Sequence, residues 1–205
     1  MRKFDNMSDA KEALLMELKE KYSEEFQIKE NEKFSKTGYV YVYSCKVVPV
    51  NNEERLFSAR ITSSGDDTDN YSIYEFYNEM VSLVDSSLKS KTYIEHYEVK
   101  PTMGWTTNKW ENESYSLQEF LEESEAFNEI IVTFSDRKTE EEKINDIFDL
   151  VSGLSGIACP IRLNVKVSDG YIFTEEFESR ATPLTKTEIK ENMSSTKRGR
   201  LIEIN

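Results

Sequence analysis

The sequence predicts an α+β fold of two small modules, each an antiparallel sheet packed against helices. Three patterns carry that reading. The runs "YVYVYSCKVVPV" (39–50) and "IRLNVKV" (161–167) alternate side chains with the period of a strand. Stretches such as "KINDIFDLVSGL" (143–154) repeat apolar residues at helical spacing. Between the two groups lies an irregular segment broken by Pro101 and Gly104. A chain of 205 residues has the length for one large or two small domains.

In chain order, Ser8 is positioned to cap a first helix, and Asp9 complements its dipole. Leu14, Leu15, Leu18 and Tyr22 share one face of that helix. In the strand that follows, Tyr39, Tyr41, Tyr43, Cys45 and Val47 fall on one side, with Val40, Val42 and Val48 on the other. Apolar residues on both faces mark a central strand. "NNEE" is a turn, and "RLFSARI" returns as a hairpin partner with Phe57, Ala59 and Ile61 inward. A second helix carries Tyr77, Met80, Val81, Val84 and Leu88 on one face. These elements make a helix, three-strand, helix module over residues 1–92.

Residues 93–115 form an aromatic connecting segment that opens with a short strand around His96. Residues 116–182 form the second module. Ser116 and Glu119 have capping-box spacing at the start of a short helix, and "EIIVTFS" follows as a strand. The next helix bears Ile144, Ile147, Phe148, Val151 and Leu154. Ile161, Leu163, Val165 and Val167 then point inward, with Arg162, Asn164 and Lys166 outward, before an Asp169-Gly170 hairpin turn. Residues 183–205 read as a loosely held, weakly helical tail with a basic cluster at Lys197, Arg198 and Arg200.

The 39 acidic against 26 basic residues leave a net charge of −13, which argues against nucleic acid and anionic membranes as partners. Basic residues interleave with the acids, so a phosphate-like stripe imitating DNA is disfavoured too. Cys45 and Cys159 lack the close spacing of a thiolate metal site and read as buried free thiols. The first twenty residues hold no signal-length apolar run, and no stretch is long enough to span a bilayer. The expectation is a cytoplasmic chain as it stands, or a secreted or surface one if a leader has been removed.

Asp66, Asp67 and Asp69 are the candidate metal ligands. An EF-hand loop counted from Asp67 fails, because the sixth position is Ser72 and the twelfth is Asn78. The competing reading has Asp69 or Asn70 capping the next helix, with the earlier acids near its positive end. His96 stands alone, which excludes a multi-histidine centre, and its neighbour Glu95 faces the opposite side of the strand. "SGLSG" is a helix end and not a nucleophile elbow, and no phosphate-binding glycine motif is present. No catalytic residue is assigned and no cofactor is implied. Trp105, Trp110 and Tyr115 are the candidate partner-binding residues, against the alternative that they seal a seam between modules.

"KYSEEFQI", the hairpin "YVYVYSCKVVPVNNEERLFSARI" and "DNYSIYEFYNEM" resemble a helix, three-strand, helix unit of uncharacterised two-module proteins and lipoproteins of Gram-positive bacteria. The chain lacks the lipobox cysteine of the lipoprotein members. The resemblance implies a binding or accessory role, at the cell envelope if a leader is missing. The leading expectation is therefore a non-catalytic protein whose partner is another protein or a surface component. The alternative is a metal-assisted hydrolase using the Asp66 to Asp69 cluster.

Overall fold

The computed structural model describes residues 4–104, 106–107, 116–178 and 181–203. The elements run α1 (Met7–Tyr22), β1 (Phe26–Thr37), β2 (Val40–Pro49), β3 (Phe57–Thr62), β4 (Thr68–Asp69) and α2 (Ile73–Lys89). There follow β5 (His96–Thr102), β6 (Thr106–Thr107), α3 (Leu117–Glu123), β7 (Phe127–Thr133), α4 (Glu140–Leu154), β8 (Ile161–Val167), β9 (Gly170–Phe177) and α5 (Lys186–Glu203). This is an α+β fold of two modules. The compact units are residues 1–75 with 104–115, and residues 76–103 with 116–205.

In the first unit, five strands pair in the order β1-β2-β3-β4-β6, every ladder antiparallel. β2 is central, as its two-sided apolar pattern predicts, and Tyr43, Cys45 and Val47 are buried on the side shared with Phe57, Ala59 and Ile61 of β3. Ala10, Leu14 and Leu18 of α1 pack into the same cluster. The helix starts two residues before the Ser8 cap expected from sequence, because the side chain of Asn6 accepts the Asp9 N–H at 3.0 Å.

β1 was not legible in the sequence. "FQIKENEKFSKT" is polar and charged because this strand is a sheet edge and stays mostly exposed. Its lysines and a register shift around Asn31, whose φ is 60°, discourage pairing with another chain along that edge. Tyr39 follows Gly38 at the tip of the β1–β2 hairpin and is 97% exposed.

In the second unit the strand order is β5-β7-β8-β9. One ladder departs from the antiparallel expectation: β7 and β8 run parallel. α4 connects them as a crossover helix, and a strand that returns after such a helix re-enters the sheet in the same direction. Ile130, Leu163, Val165 and Phe173 bury one face of the sheet in a core shared with α2, α4 and α5.

The division between units falls inside α2, after Glu75. It differs from the boundary expected at residue 92 because Val84 and Leu88 belong to the core of the second unit. Asn128, fully buried, donates from Nδ2 to the Met80 carbonyl at 2.8 Å and ties α2 to β7. β5, expected within the connecting segment, is instead an edge strand of this sheet.

The C-terminal stretch also differs from its expected loose state. Thr185 Oγ1 accepts the Glu188 N–H, and Glu188 in turn accepts from the Thr185 backbone and hydroxyl at 2.7 Å. Ile189 and Met193 of the helix so started are buried against the core, and the backbone stays helical to Glu203. The spacing of Thr185 and Glu188 is a capping-box signal, and the apolar pair four residues apart supplies the packing.

Candidate functional site

The turn from Ser63 to Asp69 brings two of its three acids inward. Asp67 is 8% exposed and its Oδ1 accepts the Thr62 N–H at 2.7 Å. Asp69, 6% exposed, accepts from the Tyr22 hydroxyl at 2.7 Å, from the Tyr71 N–H at 2.9 Å and from the Lys21 ammonium at 3.0 Å. Asp66 is exposed and takes the Ser64 hydroxyl at 2.8 Å.

α2 begins only at Ile73, so Asp69 acts through strand β4 and the turn after it, not as the cap expected from sequence. Asn70 Oδ1 meanwhile accepts the Ser58 N–H at 2.8 Å. The purpose of these bonds is visible in what they hold. Tyr71 is 5% exposed, with its ring centroid 4.7 Å from Tyr22, 4.8 Å from Phe57 and 5.2 Å from Phe26. Its hydroxyl donates to Glu24 at 2.5 Å. Asp69 thus fixes the turn that inserts an aromatic anchor into the core of the first unit.

Beside Asp67 and Asp69 the open space amounts to about 10 Å³, room for one water molecule at most. The Lys21 ammonium already sets one positive charge against Asp69. Among the described residues no group of three or more His, Cys, Asp or Glu is arranged to hold a metal ion.

Trp105, Trp110 and Tyr115, the candidate partner-binding residues from sequence, lie outside the described residues. His96 is exposed on the edge strand β5, opposite Thr133. Cys45 and Cys159 are buried free thiols, and burial pushes both up to about 11, out of the range of a reactive thiolate.

A concavity lies in the second unit, where β7 and β8 begin and β9 ends. Its volume is about 510 Å³, within the range of small-ligand sites. Its apolar lining is Phe127 and Pro160, which are half-buried, with Ile161 and Phe177, which are buried. Among the described residues the lining also carries three carboxylates, Glu125, Glu176 and Glu178, against one guanidinium, Arg162.

Register explains the assembly. Arg162 pairs with Glu176 across the β8–β9 ladder, and their side chains meet at 2.7 Å. The Arg162 guanidinium also lies 4.7 Å from the centroid of the Phe127 ring. Glu125 reaches the rim because it follows the Ser124 C-cap of α3 in the left-handed region, with φ 52°, a position that glycine usually occupies. Among the described residues the Glu125 and Glu178 carboxylates meet no basic partner within ion-pair distance.

The sequence reading missed this groove. Its members sit at strand ends scattered over some fifty positions, and the pattern marks only two of them, Ile161 as an inward and Arg162 as an outward strand residue. The one available signal was the acid pair flanking Phe177 at the end of β9.

No protein-family model matches this chain, and no curated protein does. A solved structure that does match is a DUF5037 family protein from Ruminococcus gnavus ATCC 29149, a crystal structure at 2.55 Å resolution. It is 14% identical with a TM-score of 0.37, over 75% of this chain and 73% of that one. That neighbour is an uncharacterised protein of a Gram-positive bacterium, and at this distance the likeness carries no argument about function.

Proposed function

We propose that this protein is a non-catalytic binding or accessory protein, and that the groove at the end of the second sheet is where it meets a partner protein or surface component. One observation carries the reading: a concavity lined by half-buried Phe127 and Pro160 over buried Ile161 and Phe177 lies beneath carboxylates that are not all engaged among the described residues. Apolar floor with a few oriented polar groups is the chemistry of recognition. The acids of the 66–69 turn support the same reading from the other side, since their oxygens meet donors of the protein itself. The resemblance to envelope lipoproteins supports an accessory role at the cell envelope, which fractionation of the producing cell tests; a purely cytosolic pool would contradict that address.

The binding role is tested by selecting peptides from a random displayed library against the full chain, then mapping them by amide shifts. Selected peptides are expected to perturb the ends of β7, β8 and β9 and to lose affinity with Phe127→Ala. Two results would replace the reading. One is a set of binders that ignore the groove. The other is turnover of phosphate or glycoside esters that requires a divalent metal and disappears in Asp67→Ala, which would restore the hydrolase alternative.

A further inference from the structure

Resting on that reading of the groove, we infer that its ligand is a basic peptide segment, held by an arginine side chain that lies on the aromatic floor between Glu125 and Glu178. The groove already contains an example of the chemistry. Arg162 places a guanidinium over the Phe127 ring at 4.7 Å while donating to Glu176 at 2.7 Å. A planar cation gains from an aromatic face and a carboxylate at once, and arginine suits that pairing better than lysine does.

The charge count at the rim selects the sign of the ligand. Among the described residues three carboxylates face one guanidinium, and Arg162 already engages Glu176. Glu125 and Glu178 remain exposed, without a basic partner among the described residues. An anionic ligand would have to approach both. A cationic one neutralises them, and the net charge of −13 favours its approach from a distance.

The backbone adds a reason to regard Glu125 as placed. A glutamate at φ 52° accepts a strain that glycine would avoid, and in return sets a carboxylate at the mouth of the groove. The apolar floor requires more than a bare ion. Phe127 and Pro160 are only partly covered, so an apolar residue next to the arginine would cover them. A volume of about 510 Å³ has room for both side chains.

The test uses the full chain and three probes: acetyl-Leu-Arg-amide, acetyl-Leu-Ala-amide and acetyl-Leu-Glu-amide. Each is titrated while the amide resonances of Phe127, Ile161 and Phe177 are followed. The arginine probe is expected to bind about tenfold tighter than the alanine probe, which is what a cation on an aromatic face and an exposed carboxylate yield together. Its affinity is expected to fall with added salt and to fall about tenfold in Glu125→Gln with Glu178→Gln. Equal binding of all three probes, lost with Phe127→Ala but not with the glutamine variants, would overturn the arginine assignment while leaving the groove as a binding site. Preference for the glutamate probe would overturn it too. No shift at the groove with any probe would overturn the assignment and the reading beneath it together.

Discussion

The carboxylates of the Ser63–Asp69 turn and those of the groove rim are the same chemical groups in opposite circumstances. Asp67 and Asp69 are under 10% exposed and face backbone N–H groups, a tyrosine hydroxyl and an ammonium. Glu125 and Glu178 are exposed above an apolar floor. A buried carboxylate is tolerated only when donors surround it, so the inward acids are tied to the fold. An exposed one keeps its hydration and is free to exchange water for a ligand. What separates the two sets is the direction in which each oxygen points, which residue type alone does not reveal.

The comparison breaks most easily at Asp69. Asp69→Ala would remove the carboxylate that pairs with Lys21, whose side chain is 10% exposed, and that accepts the Tyr71 N–H. Removing one partner of a buried pair costs about 3 kcal/mol or more, read as a lower urea midpoint. Asp67→Ala strands the buried Thr62 N–H and is expected to lose about 2 kcal/mol by the same measurement. A change under half of either figure would place these acids with the rim.

Glu125 tests the other side with the opposite sign. Glu125→Gly removes the left-handed strain and is expected to raise stability by about 0.5–1 kcal/mol while lowering affinity for a cationic ligand. Loss of stability would show that the side chain is holding something within the chain.

A third class of acid sharpens the contrast. Glu119, Glu142 and Glu188 are exposed, yet each accepts hydrogen bonds from its N-cap residue, which hold all three carboxyls below the ordinary value of 4.5. A carboxyl with a depressed folded value contributes stability above the unfolded value, lost as the pH falls through the folded one. The melting temperature is therefore expected to decline as pH drops below 4.5, and the triple glutamine variant to decline less steeply over that window. Parallel curves would remove the caps from the account. The smallest expected effect is that of Glu178→Gln, within about 0.5 kcal/mol of the parent in urea, as for ordinary surface substitutions.

Much of the fold was legible because alternation and helical spacing report burial directly. β2, β8 and α4 carried that signal, since each buries a regular set of side chains. β1 did not, because an exposed edge strand has no buried face to show across most of its length. The parallel β7–β8 ladder is a property of how strands meet, which local spacing does not encode. The 66–69 acids fail the EF-hand spacing in sequence, but the partners of Asp69, Lys21 and Tyr22, lie more than forty positions away and could not be named in advance. The groove was invisible for the same reason, and because Glu125 reaches it through a left-handed residue where a glycine would have marked the turn.

The most direct test of the central claim, that inward acids hold the fold while rim acids do not, is a double-mutant cycle in urea on Lys21→Met with Asp69→Ala, run beside one on Arg162→Met with Glu176→Ala. The account predicts a coupling of about 2 kcal/mol for the buried pair and under about 1 kcal/mol for the exposed pair. Equal couplings, or a larger one at the rim, would contradict it.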